Sequence, residues 1–314
     1  MILAGDIGAT KTYLGLFTKE LTSVAEAEYA SKEYASLEEL IRYFLKQTQF
    51  EPATITAVCM GVAGPVVEGR CELTNINWTI TVAGLRQLFD GVPAALLNDL
   101  EAIGYGVPRL SKEELIPLNP NGVSRPGNAA LIAAGTGLGE ALLYWDKHTH
   151  TFYPSPSEGS HVDFAPRNDE EIELLRYLMR GDNKNVSYEQ VVSGSGLVRI
   201  YEFLKNQENY QEPAWLTARF GQGNSAAVIS EVAIAKENPL CEKALDIFVS
   251  IYGAEAGNLA LKYLALGGVY VGGGIVLKIL DKLGDGTFMR AFTNKEGHFA
   301  QLNASLCNYG AIAT

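Results

Sequence analysis

The sequence predicts an α/β protein of two lobes built on one duplicated plan, mixed sheets flanked by helices, with a cleft between the copies. Two glycine-rich hairpins carry the prediction: Ile2 to Phe17 reads as strand, glycine turn, returning strand, and Ala129 to Leu143 repeats the scheme. Between them an apolar run, Val92 to Leu97, ends abruptly in Asn98-Asp99 and passes into a helix-like segment with small residues at Ala102, Gly104 and Gly106. A buried strand with polar groups at its carboxyl end is where open α/β sheets keep their ligands. At 314 residues and 47% hydrophobic content the chain exceeds a usual single core, which agrees with two lobes.

Composition excludes several classes of function. The net charge is -11, and the lysines and arginines form no cluster, which argues against nucleic acid or an anionic membrane as partner. No apolar run approaches the ~20 residues of a membrane span, and Met1-Ile2-Leu3-Ala4-Gly5-Asp6 turns acidic too soon for a signal peptide. Cys59, Cys71, Cys241 and Cys307 are scattered, with neither CxxC nor zinc spacing. They read as reduced core thiols of a cytoplasmic protein.

In the first hairpin, Gly5 and Gly8 let backbone amides approach an anion, and Thr10, Thr12 and Lys11 can add hydroxyls and a charge. Asp6 beside such a cradle would repel a phosphate unless a cation lay between, so it suggests Mg²⁺ held through water. An ordinary hairpin with an exposed Asp explains the same residues. A third strand, Thr22 to Ala30, precedes a helix opened by Ser36 and Glu39 as a capping box, with Leu37, Leu40, Ile41, Phe44 and Leu45 on one face. A buried strand follows over Ala53 to Ala63, and Cys71 to Ile80 holds a polar stretch, Thr74 to Trp78, that fits a structured turn or a ligand-lining loop. Val82 to Phe89 reads as a helix. At the next strand end Asn98 can exchange hydrogen bonds with a hydroxyl and Asp99 can take its proton, although a helix cap also favours both residue types.

Pro108, Pro117, Pro120 and Pro126 mark the boundary, giving a small lobe over residues 1–108 and a large lobe over 109–314. In the second hairpin Gly135, Gly137 and Gly139 do not form a dinucleotide fingerprint: the sixth position is Glu140, and Ala141 to Trp145 reads as strand rather than helix. A long helical region is expected from Ala226 to Leu264, with Gly253, Ala254, Ala256 and Gly257 suited to close packing. A strand over Gly268 to Val271 runs into Gly272-Gly273-Gly274.

Gly5-Asp6-Ile7-Gly8-Ala9-Thr10, Asn98-Asp99, Ala134 to Gly139 and, most specifically, Pro156-Ser157-Glu158-Gly159-Ser160-His161-Val162-Asp163-Phe164-Ala165-Pro166 resemble the bacterial glucokinase family, of the sugar kinase, actin and chaperone ATPase superfamily. Val191 to Leu197 and Tyr270 to Val276 extend the resemblance, which runs in order from about residue 3 to about residue 290. It implies a two-domain actin-like ATPase (ribonuclease H-like) fold and phosphorylation of glucose at its 6-hydroxyl by ATP with Mg²⁺. It also implies a sugar site of Asn98, Asp99, Glu158, His161 and Glu189, with Asp99 as general base. On the phosphate side it implies Gly5, Asp6, Gly8, Thr10, Lys11, Gly135, Thr136 and Gly137, and at the adenosine Gly272 and Gly273. The expected partners are then a sugar and a nucleotide, in a chain that could form a homodimer, and the lobes are expected to close and exclude water. Without the resemblance Glu189 reads as a helix N-terminal acid, and Glu158 and His161, three apart in a glycine-bearing loop, lack the further ligands a transition metal needs.

Ala9 stands where the family has Gly, which brings strain on the order of 1 kcal/mol if φ there is positive, and Ser160 replaces another Gly. Leu302 to Thr314 departs from the family's closing strand, turn and helix, whose expected role is to return to the small lobe. The rivals are a sugar sensor, which would carry a DNA-binding extension ahead of Met1, and a phosphohydrolase, which would lack a polyol-reading loop.

Overall fold

The computed structural model describes residues 1–120, 122, 125–180, 184–207, 212–297, 299 and 311–312. Two compact units emerge, Met1–Gly106 and Val107–Thr314. In the first, β1 (Ile2–Ile7), β2 (Lys11–Phe17) and β3 (Ser23–Ala30) form an antiparallel meander, and Ser36 caps α1 (Leu37–Thr48). The cap half of the box forms, Glu39 N–H donating to Ser36 Oγ (3.2 Å), while Glu39 Oε2 accepts from Ala35 N–H (2.7 Å), one residue ahead of the cap. The five apolar positions expected on this helix are all buried in one core with Leu3, Ile7, Leu14 and Leu16.

The strand expected from Ala53 starts later, because Pro52–Thr54 make a 3-10 turn and β4 spans Ala57–Val62. The polar stretch before Trp78 is a turn: β5 (Arg70–Leu73) and β6 (Trp78–Thr81) pair across it, and Asn77 takes a positive φ of 55°. Next come α2 (Val82–Leu88), β7 (Ala94–Asn98) and α3 (Asp99–Gly106). The sheet order is β3-β2-β1-β4-β7, with β4 and β7 parallel to β1 and so delivering Val62 and Asn98 at the same edge as Ile7.

The second unit repeats the plan. After β8 (Leu115–Ile116), β9 (Ala129–Ala134), β10 (Leu138–Asp146) and β11 (Thr151–Ser157) form another antiparallel meander. No strand is predicted over β11, which carries Pro154 and Pro156; both are tolerated because it is the sheet's edge strand. The helices α4 (Asp169–Leu178), α5 (Gly194–Lys205), α6 (Ala214–Phe220), α7 (Ser225–Ile234) and α8 (Pro239–Lys262) precede β12 (Gly268–Gly272), which lies parallel to β9 as β4 does to β1. The chain continues through α9 (Leu280–Gly284), α10 (Thr287–Thr293) and β13 (Ala311–Ile312).

The helical region expected from Ala226 to Leu264 is thus two helices. Lys236 at φ 56° turns the chain, and Asn238 caps α8 by accepting from Leu240 N–H (2.9 Å), with Pro239 at the first helical position. The small residues of α8 pack where expected of them: a Cβ on Gly253 would lie 2.3 Å from the Phe288 carbonyl of α10. The divergent closing sequence lies outside the described residues except for β13. That pair joins the second sheet, between β12 and β8, where a return to the first lobe was the expectation.

Candidate active site

The turn between β9 and β10 is three residues long, and Gly135 N–H closes it on the Gly137 carbonyl (2.8 Å). The Gly135 carbonyl accepts from Gly194 N–H (2.9 Å), the first residue of α5, whose cap is Ser193. Between this turn, α5, α7 and the Gly274 turn lies a pocket of about 450 Å³. Gly135, Thr136 and Gly274 line it, and a Cβ added to either glycine would meet only open space. Gly273 takes φ +93° and presses its backbone on Ala134, where a Cβ would fall 2.3 Å from the carbonyl, so Gly272 and Gly273 shape the pocket from behind rather than line it. Apolar Leu197, Val198 and Ile275 alternate with Ser195, Asn224 and Lys278 around it. Sequence reading misses these polar residues; the only local sign of Asn224 is that it caps α7.

Beyond β11, Gly159–His161 form a 3-10 turn that holds Glu158 and His161 on one exposed side, Oε2 and Nε2 3.7 Å apart. Ser160 points inward and is buried, which assigns it to tightening this turn. Backbone bonds from Phe164 N–H to the Val186 carbonyl (2.7 Å) and from Tyr188 N–H to the Val162 carbonyl (3.1 Å) tie the loop to the segment carrying Glu189. Glu189 in turn reaches the glycine turn: its Oε2 accepts from Leu138 N–H (3.0 Å) and occupies the space over Gly137, 2.5 Å from where a Cβ would stand. Glu158, His161, Glu189, Gly137 and the pocket are therefore one continuous construction within the second unit.

Beneath it lies Glu140, 1% exposed, with neither carboxylate oxygen hydrogen-bonded among the described residues. Burial, followed by the charge of Glu255, raises its carboxyl to about 7. Glu255, fully buried on α8, is by contrast satisfied by Lys262 Nζ (2.9 Å) and Asn258 Nδ2 (2.8 Å).

In the first unit Asn98 Nδ2 donates to the Gly64 carbonyl (3.3 Å), and Leu100 N–H donates to both Asn98 Oδ1 (3.0 Å) and Asp99 Oδ1 (2.8 Å). The cap geometry and the polar strand end are thus the same feature. At the β1–β2 turn Gly8 N–H closes on the Lys11 carbonyl (2.9 Å), while Ser31 Oγ donates to the Gly8 carbonyl (2.6 Å) and meets Thr12 Oγ1 (2.9 Å). Asp6 and Thr10 are exposed at this edge, and surrounding protein still desolvates Asp6 enough to raise its carboxyl. Lys11 pairs with Glu28 (2.6 Å) on the surface. Gly5 lies within β1, where Met60 and Leu14 occupy the room a side chain would need. Ala9 does not have a positive φ, so the strain considered for it does not arise.

Among the described residues no three His, Cys, Asp or Glu side chains cluster as a metal site, and no helix is long and apolar enough to cross a membrane. The glucokinase family model matches residues 3–309. A glucokinase of Nostoc sp. is 38% identical over 94% of this chain and 90% of its own. The crystal structure of a glucokinase from an Antarctic psychrotroph, 27% identical, superposes with a TM-score of 0.82 over 100% of this chain and 94% of the other. A ROK family glucokinase from Streptomyces griseus, crystallised with glucose and AMPPNP, shares the fold at 20% identity and a TM-score of 0.63, over 97% of each chain. Duplicated mixed sheets with paired glycine turns thus define the class, a sugar kinase of the actin-like ATPase fold. Within that class the chain belongs to the glucokinase family.

Proposed function

We propose that the chain transfers the γ-phosphoryl group of ATP to the 6-hydroxyl of D-glucose, with Asp99 as general base. Family membership makes it an ATP-dependent hexose kinase. The observation that carries the finer reading is the bond from Leu138 N–H to Glu189 Oε2. It joins the segment of Glu189, to which the loop of Glu158 and His161 is tied by backbone bonds, to a glycine turn that lines the 450 Å³ pocket, so polyol-reading groups and the pocket share one support. Gly135 and Gly274, open toward that pocket, suit a flat base and a phosphate chain lying against backbone.

Phosphoryl transfer asks mainly for positioning and charge neutralisation. Glu158, His161, Glu189 and Asn98 hold the sugar hydroxyls, each carboxylate accepting and the amide both donating and accepting. Asp99 takes the proton of the 6-hydroxyl as its oxygen bonds to phosphorus, the bond to the β,γ-bridging oxygen breaks, and ADP leaves. Asp6, exposed at the first glycine turn, suits Mg²⁺, which binds through few carboxylates plus water and phosphate and would neutralise the phosphoryl oxygens. The free thiols of Cys71 and Cys241, both buried, and of the half-buried Cys59 suit a cytoplasmic setting.

A coupled assay for glucose 6-phosphate tests the reading in wild type and Asp99→Asn. The expected result is turnover with Mg²⁺-ATP that falls ~10²–10⁴-fold in the variant, with glucose binding retained by calorimetry. Glucose binding without turnover in the wild type would instead make the chain a sugar sensor.

A further inference from the structure

Glu140 and Ser157 stand directly opposite each other on β10 and β11, so their side chains share one face of the sheet. Ser157 Oγ is engaged from above, accepting from Gly159 N–H (2.9 Å). Glu140 Oε2 fills the place of a Gly159 side chain, 2.3 Å from an ideal Cβ, and neither of its carboxylate oxygens has a hydrogen-bond partner among the described residues. The charged groups facing it come from α8: Glu255, which repels its ionised form, and Lys262, which is already committed to Glu255; the buried Tyr252 lies on the same helix. A carboxylate in such a place is tolerated while protonated and costly once ionised.

We propose that Glu140 is a positioning residue for glucose binding: protonated, it lets Gly159 seat the turn that presents Glu158 and His161, and on ionisation it unseats that turn and weakens glucose binding. The inference rests on the glucose reading of that loop. Its physical route is short. An ionised Glu140 requires donors; the Ser157 hydroxyl, opposite it in the strand pairing, and solvent water both become accessible when Gly159 lifts away. Sugar bound over the turn holds it seated and shields it from water, so binding draws a proton onto Glu140.

The test is titration calorimetry of glucose at pH 6, 7 and 8, each in two buffers of different ionisation enthalpy, on wild type, Glu140→Gln and Glu140→Met. Met keeps the volume and needs no hydrogen bond, so it serves if Gln impairs folding. Wild type is expected to lose affinity as pH rises toward and through neutrality, by less than tenfold per pH unit, and to take up a fraction of a proton on binding in that range. Both variants are expected to lose that uptake and most of the pH slope. The same uptake and slope in the variants would place the titration on another group, such as His161, and overturn the proposal. Glucose binding to wild type with no uptake at any pH would overturn it while leaving the sugar site intact. No glucose binding to wild type at pH 6 would overturn the sugar site, and this inference with it.

Discussion

Thr12 and Glu140 each follow shortly after a glycine turn, on the returning strand of a hairpin, and each is buried to within 1% of completely. Thr12 meets Ser31 Oγ, which also holds the Gly8 carbonyl, so the first hairpin is pegged by a closed set of hydrogen bonds. Glu140 has no such bond among the described residues, and the second turn is held instead by Glu189 and the start of α5. A satisfied buried polar group is a structural peg. An unsatisfied one is unstable toward whatever brings it a partner or a proton, which is how a buried side chain acquires influence over a loop.

The largest way to sharpen this contrast is Glu140→Met. The native chain holds the Glu140 proton at about 7 against an ordinary 4.5, more tightly than the unfolded chain does. Its stabilising effect is therefore present below pH 4.5 and lost as pH rises to 7, a change of about 3 kcal/mol. Urea unfolding at pH 5 and pH 8 should show the Met variant gaining on wild type at the higher pH; a constant gap would mean that Glu140 titrates normally. On the other hairpin, Ser31→Ala orphans Thr12 and the Gly8 carbonyl and should cost ~1–3 kcal/mol at either pH. A pH-dependent loss there would erase the distinction between peg and sensor.

Gly137→Ala is a smaller and more selective perturbation. Its methyl meets the flexible end of Glu189 rather than backbone, so stability should hold while the glucose KM rises roughly tenfold, or ~1.4 kcal/mol of lost positioning. An unchanged KM would detach Glu189 from the sugar. The least effect is expected from Lys11→Ala. The pair with Glu28 is more than half exposed on both sides, so its removal should change stability by ~0–1 kcal/mol and less at high salt. A large rise in the ATP KM would show that Lys11 leaves Glu28 to serve the phosphates.

Much of this is legible in the sequence. The Ser36 cap, the apolar face of α1 and both glycine hairpins are written in short stretches of contiguous sequence, and they form as read. The Asn238-Pro239 break was present as a start signal inside a region that otherwise reads as helix, and the break prevailed. β11 was hidden because prolines argue against strand until its edge position is known. Ser195, Asn224 and Lys278 meet at the pocket from three separate segments, and only the segment of Ser195 lies in a motif of the resemblance.

The sequence by itself determined the duplicated α/β plan, because hydrophobic period and turn chemistry are local properties, and its motifs carried the resemblance that pointed to the family. Tertiary structure alone decided that Glu189 sits on the second glycine turn and that Glu140 stays buried without a partner beneath Gly159. In the sequence Glu140 served only to break a dinucleotide fingerprint. A side chain's solvation and partners depend on which distant segments pack against it, and that is a property of the folded chain.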